Sequence, residues 1–305
     1  MKYITYLREQ RKSIGVWDNG KIFDISGASR SFGNRVMPDS MIAYIQDFEM
    51  NHRLVEDMFN QSDPATRPEL FFPDGQAELI APLNEPKSVR NFSAYAQHRN
   101  VMTDHFALDT LSSKSFIFGN HQLVSGANAE IHLPEGISQL DFEVQIGAVI
   151  CRQGSDLNID TYQDYIAGFL IHTQLIARDL QSEELSSGHG MAKCIDLTSV
   201  SGPYLANKEI FPTFRRKDVI EDEITILLNG DELSFANTGD MDIHFGEILA
   251  EASRNSIIYP GDIITTGALP GGSLLGAGKD HFLAASDIIR ITSNELGEQK
   301  IRILE

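Results

Sequence analysis

The stretch "LDFEVQIGAVI", residues 140–150, decides the fold of this chain. Apolar and polar side chains alternate along its first half, and such alternation predicts a β-strand with two distinct faces. One face carries Asp141, Glu143 and Gln145, and apolar side chains lie opposite them. Two interpretations of this polar face stay open from the pattern alone. It is either a solvated sheet edge or a site that holds, or once held, a metal ion.

Residues 1–72 predict a small N-terminal α+β domain. Strands are expected in "KYITYL", "SIGVWD" and "KIFDIS", with Asn19-Gly20 as the hairpin turn between the last two. The stretch 39–60 has helical spacing, and Asp39 or Ser40 is its expected N-cap. The residues expected on one side of this helix are Met41, Ile42, Tyr44, Ile45, Phe48, Met50, Leu54 and Met58.

Residues 73–305 predict a larger, mostly β domain. Two stretches in it have helical character, 93–107 and 245–254. The predicted strands are "ELIAPL", "SFIFG", "LDFEVQIGAVI", "YIAGFLIHTQLIA", "EITILLNGDEL", "DIITTG" and "DIIRITS". Strict alternation of strands and helices is missing. The pattern therefore favours an α+β chain built on a β-sandwich, barrel or roll over a doubly wound fold.

Composition excludes several classes of function. The 305 residues carry a net charge of −18, a field that repels nucleic acid and anionic membranes and leaves a small anionic ligand dependent on local cations. No apolar run has the length of a signal peptide or a membrane span, so a soluble, cytoplasmic protein is expected. Cys151 and Cys194 form no C-x-x-C pair, and reduced thiols are expected, with a disulfide between them as the alternative.

The glycine-rich stretch 266–280, "TGALPGGSLLGAGKD", does not meet the requirement of a phosphate-binding P-loop. Gly278-Lys279 is followed by Asp280, and Ser273 stands where the first glycine belongs. A turn near a substrate and a plain connecting loop are equally compatible with it. A G-x-S-x-G nucleophile elbow is also missing from the sequence.

Taken singly, the polar candidates each have an ordinary structural interpretation. His98 ends "SVRNFSAYAQH", and a lone histidine is more often structural than catalytic. Arg178 and Gln181 are three residues apart, so they share a face if "ARDLQ" is helical. Lys193 lies in a polar connection, where a solvated lysine is the usual case. The order of these segments, however, is informative.

The chain resembles the fumarylacetoacetate hydrolase family nearly from end to end. "SVRNFSAYAQH" is similar to the family's S-[IV]-R-D-F-Y-A-F-E-Q-H, and "LDFEVQIGAVI" to L-D-Y-E-x-E-[IL]-A-x-V-I-G. "YIAGFLIHTQLIARDLQ" is similar to its Y-I-A-G-[FY]-x-[IV]-x-N-D-x-[ST]-A-R-D-[LW]-Q, and "YPGDIITTGALPGG" to its closing P-G-D segment. The resemblance implies a mixed β-sandwich roll with a small N-terminal domain, usually as a homodimer.

The resemblance also implies chemistry. Family members cut or rearrange carbon–carbon bonds next to a carbonyl group, in 1,3-diketo acids or oxaloacetate-like acids. A Mg²⁺ or Ca²⁺ ion usually chelates two substrate oxygens, in keeping with the preference of hard cations for oxygen and with their action as Lewis acids.

This sequence departs from the family at the metal ligands. The four carboxylate positions fall on Asn91, Glu143, Gln145 and Gln174, so three acids are replaced by amides. Loss of three nearby negative charges costs on the order of several kcal/mol of cation affinity, even at an effective dielectric near 20. We therefore expect no tightly bound cofactor ion, with Mg²⁺ or Ca²⁺ at most at low affinity. A rebuilt transition-metal site with His172 and Glu143 is a minor alternative.

The resemblance assigns catalytic positions to His98, Lys193, Arg178 and Gln181. The Glu that orients the histidine in the family falls near Gly276, so that partner is missing; Asp104 or His105 are its possible substitutes. The substrate-binding candidates carried over from the resemblance are Ser93, Tyr95, Ala268 and Gly276.

Three hypotheses follow. In the first, the protein acts on a β-dicarbonyl or 2-keto acid through an enolate without the usual metal, with His98 moving the proton and Arg178 and Lys193 stabilising the negative oxygen. In the second, it is a non-catalytic ligand-binding or scaffold protein on a decayed fold. In the third, it is an ordinary Mg²⁺ hydrolase in which amides suffice. A small-molecule substrate and a homodimer are expected partners, and nucleic acid and membrane are not.

Overall fold

A computed structural model describes residues 1–33, 35–108, 112, 115–188 and 190–305, with only the backbone described at residue 215. Within these residues the helices are α1 (Ile25–Ser31), α2 (Met41–Gln46), α3 (Phe48–Asn60), α4 (Ala96–His105), α5 (Arg178–Ser187), α6 (Phe214–Lys217) and α7 (Phe245–Ser253). The strands are β1 (Lys2–Arg8), β2 (Arg11–Asp18), β3 (Lys21–Asp24), β4 (Phe71–Pro73), β5 (Glu78–Ile80), β6 (Val89–Asn91), β7 (Ile117–Gly119), β8 (Val124–Ser125), β9 (Asn128–His132), β10 (Leu140–Ile150), β11 (Gly154–Ser155), β12 (Ile166–Ala177), β13 (Ser199–Ser201), β14 (Leu205–Asn207), β15 (Glu223–Leu228), β16 (Asp231–Asn237), β17 (Ile257–Ile258), β18 (Ile263–Thr265), β19 (Ile288–Ser293) and β20 (Gly297–Leu304).

Two sheets form the body of the molecule. A 13-stranded sheet has the main order β4-β3-β2-β1-β14-β12-β10-β18-β6-β7, and a 5-stranded sheet has the order β16-β15-β19-β20-β9. Phe142, Val144 and Ile146 on one face of β10 belong to the core that also holds Ile289 and Ile301 of the smaller sheet. The mostly β, α+β fold with several sheets predicted from the sequence is confirmed.

Strands β10 and β12 lie at the centre of the large sheet and run antiparallel. Every residue of both strands is buried. The register places Glu143 opposite Gln174 and Gln145 opposite His172. Since directly opposed residues in a sheet point to the same face, these four polar side chains share one face. The solvated-edge interpretation of residues 140–150 is therefore wrong.

The N-terminal strands continue the large sheet. β1 pairs with β14, and the β2–β3 hairpin turns at Asn19 and Gly20, whose φ angles of 48° and 80° suit the predicted tight turn. The predicted strands at the N-terminus are confirmed, although the third ends at Asp24, where α1 follows directly. The division of the chain into domains 1–72 and 73–305 stays a prediction.

The helix predicted over 39–60 is two helices. α2 ends at Gln46, and Asp47, with φ −118° and ψ 40°, separates it from α3. Ser40 is the N-cap, as predicted, because its side chain accepts a hydrogen bond from the Ala43 N–H. The buried positions keep one helical spacing across the break, and Met50, nine residues after the buried Met41, lies on the opposite side and is 49% exposed, contrary to the prediction.

The cysteines and the helix lengths test two further expectations from the sequence. Both cysteines are free and buried, in keeping with the reduced state expected for them. Among the described residues, none of the helices has the length and apolar character needed to cross a bilayer.

Candidate active site

A cavity of about 90 Å³ lies against the polar face of β10 and β12. Its volume is enough for several water molecules or one small organic molecule. Its polar lining residues include Asn91, His98, Glu143, Gln145, Gln174 and Gln181. Its apolar lining residues include Phe92, Met102, Phe106, Phe116, Leu185 and Met191. The cavity therefore combines the polar residues predicted from the sequence with apolar side chains.

A buried ion cluster lies at the polar side of this cavity. Arg178 Nε donates to Asp141 Oδ2 and Arg178 Nη1 donates to Glu143 Oε1, both at 2.9 Å, and these side chains are almost inaccessible to solvent. Burial alone would raise the pKa of Glu143, but the guanidinium of Arg178 and nearby His98 hold that pKa below its usual value. Glu143 is therefore an ionised, paired carboxylate.

The glycine-rich stretch braces the ion cluster. The backbone N–H groups of Leu274 and Leu275 donate to Asp141 at 2.9 and 3.3 Å. None of the described residues that line the cavity belongs to the stretch 266–280. Two of its backbone N–H groups thus donate to the buried carboxylate of Asp141. This internal role accounts for the loop's conformation without a bound phosphate.

Helix α5 sets the position of the guanidinium. It begins at Arg178, immediately after β12, so this side chain reaches back across β10. Arg178 Nη1 also donates to Gln181 Oε1 at 2.9 Å, which confirms that the two residues share a helical face. The junction between β12 and α5 therefore places the side chains of Arg178 and Gln181 next to each other beside Glu143.

The amides at the family's metal positions bond with Glu143, with the Thr265 hydroxyl or with the backbone. Gln145 Nε2 donates to Glu143 Oε2 at 3.4 Å, and the Thr265 hydroxyl bonds with Gln145 Oε1 and lies 2.9 Å from Asn91 Oδ1. Gln174 Nε2 donates to the backbone carbonyls of residues 175 and 195, at 2.9 and 3.3 Å. Asn91 Nδ2 and Gln174 Oε1 are buried and have no hydrogen-bond partner among the described residues.

His98, on α4, lies next to Glu143 in the cavity lining. Its Nε2 lies 3.8 Å from Glu143 Oε1. Burial lowers the pKa of His98, and the nearby carboxylate offsets only part of that effect, so the imidazole is neutral near pH 7. Asp104 and His105, considered as orienting partners, are exposed to solvent. Among the described residues, Glu143 supplies the carboxylate that lies within ion-pair distance of His98.

The donor set at the four family metal positions does not fit a tightly held Mg²⁺ ion. Mg²⁺ is bound chiefly through carboxylates and water. Here the single carboxylate, Glu143, is already neutralised by Arg178, and Gln145 directs an N–H group toward it. His172 is buried, its Nδ1 bonds to the Ser201 hydroxyl, and it is not among the described residues that line the cavity. A rebuilt transition-metal site with Glu143 stays a prediction.

Several sequence-predicted positions lie away from the cavity. Lys193 does not line it, because its side chain is 68% exposed and its Nζ donates to Asp196 Oδ2 at 2.7 Å. The Tyr95 hydroxyl donates to the backbone of Thr238 at 3.0 Å, away from the lining residues. Ala268 and Gly276 are also outside the lining, whereas Ser93 is part of it. Their roles stay predictions, but the structure brings only Ser93 of this group to the site.

Sequence reasoning did not assign roles to two residues of the site. Asp141 was noted only as part of the polar strand face, although its position two residues before Glu143 was the signal that both would point the same way. Thr265, in β18, gave no signal, because its contacts with residues 91 and 145 depend on the order of strands in the sheet.

Comparison with known proteins identifies the family. Residues 87–304 match the model described as "Fumarylacetoacetate (FAA) hydrolase C-terminal". The chain belongs to the fumarylacetoacetate hydrolase family. An uncharacterised protein of Staphylococcus epidermidis is 25% identical over 310 residues, covering 97% of each chain. A Staphylococcus aureus relative, also uncharacterised, is 25% identical over 315 residues with the same coverage.

Solved structures of this family share the fold over the whole chain. A fumarylacetoacetate hydrolase from Exiguobacterium antarcticum superposes with a TM-score of 0.76 at 21% identity, covering 100% of this chain and 99% of that one. A maleylpyruvate hydrolase from Sphingobium, solved with manganese(II) and pyruvate, gives 0.72 at 20% identity with the same coverage. A 5-carboxymethyl-2-hydroxymuconate delta-isomerase from Mycobacterium smegmatis gives 0.68 at 15% identity, again covering 100% and 99%.

Proposed function

We propose that this family member is an enzyme that acts on a β-dicarbonyl or 2-keto acid through an enolate, without a tightly bound divalent cation. The reaction is a carbon–carbon bond hydrolysis, a decarboxylation, a tautomerisation or a related condensation. The observation that carries the proposal is the neutral His98 in the cavity lining, 3.8 Å from the ionised Glu143. A neutral imidazole beside a fixed carboxylate is equipped to accept a proton.

The step assigned to His98 is proton transfer. Its Nε2 takes a proton from the carbon next to a carbonyl group, and the electron pair of that C–H bond moves onto the carbonyl oxygen to give the enolate. The resulting imidazolium is stabilised by Glu143, which Arg178 holds in place. Return of the proton at the enolate oxygen gives the enol tautomer, and in a conjugated dienolate its return at the far carbon shifts the double bond. Tautomerisation needs no second reactant and no leaving group, so it requires the fewest roles from the remaining side chains.

Hydrogen-bond donors in the cavity would stabilise the negative enolate oxygen. Asn91 lines the cavity and its Nδ2 has no partner within the described part of the chain, so it has an N–H group to offer a negative oxygen. Arg178 adds a positive charge next to Glu143, although its guanidinium also pairs with Asp141. Lys193, paired with Asp196 outside the cavity, has no part in this arrangement.

A turnover screen in the presence of EDTA tests the proposal. Acylpyruvates, oxaloacetate and β-diketones are incubated with the protein, and loss of the enol absorbance and exchange of the α-proton in D₂O are followed. Consumption of at least one compound is expected, and His98→Asn should abolish it. His281→Asn, which removes an exposed imidazole, is the matched control and should keep full activity.

The same screen separates the alternatives. Full turnover by His98→Asn contradicts the proposed base. Binding without turnover of any compound favours the non-catalytic ligand-binding alternative, for which the neutralised Glu143 is the structural argument. Activity that vanishes in EDTA and returns with Mg²⁺ contradicts metal independence. The homodimer expected from the resemblance is likewise a proposal, which light scattering coupled to size-exclusion chromatography tests.

A further inference from the structure

We propose that His52, Glu56 and Glu209 form a separate metal site, which binds one Zn²⁺ ion and ties helix α3 to the segment that follows β14. These three residues are not among the described residues that line the active-site cavity. The inference therefore goes beyond the proposed function and does not depend on it.

Three possible ligand atoms lie close together at this place. Among the described residues, one atom each of His52, Glu56 and Glu209 lies within 4.8 Å of the other two. His52 and Glu56 are four residues apart on α3, so one face of the helix carries both. Glu209 belongs to a short 3-10 helix, Lys208–Ile210, directly after β14. The cluster thus joins two elements that are distant in sequence.

The spacing of the ligand atoms suits zinc. His52 Nε2 lies 3.5 Å from Glu209 Oε2. Zinc binds imidazole nitrogen and carboxylate oxygen at about 2.0–2.2 Å in tetrahedral geometry, which places two ligand atoms about 3.3–3.5 Å apart. This pair therefore has the required separation already. Both glutamate side chains reach solvent, so the carboxylate of Glu56 can approach without disturbing the core.

The side chain of Asn207 indicates which nitrogen of His52 carries the lone pair. Asn207 Oδ1 accepts from the Glu209 N–H at 2.7 Å, so its Nδ2 is the atom that lies 3.3 Å from His52 Nε2. An amide nitrogen only donates, and Nε2 is therefore the acceptor. Nδ1, 2.5 Å from the Tyr3 hydroxyl, then donates to that oxygen, whose own proton points to Met1 Sδ. Such a bond at the second nitrogen is typical of metal-binding histidines.

This arrangement calls for a cation between imidazole and carboxylate. The Nε2 lone pair and the carboxylate of Glu209 are two acceptors 3.5 Å apart, and they repel each other unless a positive charge lies between them. A proton on Nε2 would serve Glu209, but it would point an N–H group at the N–H of Asn207. The α-amino group of Met1, near Glu56 and Glu209, is another competitor. Zinc satisfies both acceptors, since imidazole and carboxylate are among its usual ligands.

Titration calorimetry at pH 7 tests the site on the full chain, after treatment with EDTA and removal of the chelator. One Zn²⁺ per chain is expected to bind from ZnCl₂. Mg²⁺ should bind at least about tenfold more weakly, because it prefers oxygen ligands in octahedral geometry. Glu56→Gln and Glu209→Gln keep the side-chain volume, and each should weaken zinc binding at least about tenfold. Asp57→Asn, which removes an exposed acid beside Glu56, is the control and should bind zinc like wild type.

Urea denaturation gives a second measurement. Zinc should raise the denaturation midpoint of wild type and of Asp57→Asn, because it binds the folded state, and should leave the midpoint of Glu56→Gln unchanged. Absence of zinc binding to wild type overturns the inference and leaves a proton or the Met1 amino group as the partner of the carboxylates. Unchanged zinc affinity in either glutamine variant, or an equal loss in Asp57→Asn, also overturns it. The turnover screen has no bearing on these outcomes.

Discussion

Restoring one acid at the old metal position should destabilise the protein, and the size of the effect follows from the structure. Gln145→Glu replaces an N–H donor with a carboxylate at a contact of 3.4 Å to Glu143. Two like charges at that separation repel by about 5 kcal/mol at an effective dielectric of 20. The change is nearly isosteric, so packing should contribute little to the measured difference.

Protonation of one carboxyl limits the loss of stability caused by Gln145→Glu and makes that loss depend on pH. One carboxyl of the pair can take up a proton, so the penalty cannot exceed the cost of protonating a carboxyl with an ordinary pKa of about 4.3, which is about 4 kcal/mol at pH 7 and about 1 kcal/mol at pH 5. The pKa of the pair is raised in the folded state, so the loss of stability grows as the pH rises. Urea denaturation at both pH values measures it.

A cation should reverse the effect only where the acids are restored. The triple variant Asn91→Asp, Gln145→Glu, Gln174→Asp should gain about 3 kcal/mol from Mg²⁺ at a hundred times its dissociation constant. Wild type should gain nothing measurable, and Gln153→Glu, an exposed control, should match wild type in stability. If Gln145→Glu is as stable as wild type at pH 7 without a cation, or if Mg²⁺ stabilises wild type as much as the triple variant, the electrostatic reasoning is wrong.

Three shorter predictions concern stability, each measured by urea denaturation. Arg178→Met leaves two buried carboxylates unpaired and should cost about 3–5 kcal/mol; a loss below about 1 kcal/mol contradicts the buried cluster. Burial lowers the pKa of His172 to about 4, so stability should fall by about 3 kcal/mol as the pH drops from about 6.5 to about 4, and His172→Gln should flatten that dependence. In Gly168→Ala, the methyl group would clash with the backbone of β14 and should cost about 1–3 kcal/mol; an unchanged midpoint contradicts the close strand approach.

Local patterns predicted much of the fold. Alternation along 140–150 predicted both the strand and the common direction of Glu143 and Gln145, because the period of a strand is a local property. The spacing of Arg178 and Gln181 predicted their contact for the same reason, since a helical turn brings such residues together.

What depended on tertiary structure was not predictable in this way. Asp141 and Arg178 are 37 residues apart and meet only because β10 and β12 pair in one register. The break at Asp47 divides a stretch whose helical spacing is continuous in sequence. Motif similarity assigned Lys193 to the substrate, but the short contact with nearby Asp196 keeps its side chain at the surface.

The amide positions on the central strands have an evolutionary consequence. Asparagine and aspartate, like glutamine and glutamate, occupy nearly the same volume, so exchanging them at buried sites alters charge while leaving the backbone able to fold. At residues 91 and 145, a single codon change can therefore alter the charge beside the cavity while the sheet keeps its packing. At residue 174 the family's motif has aspartate, so glutamine there is longer as well as uncharged, and this position changes the shape of the site together with its charge.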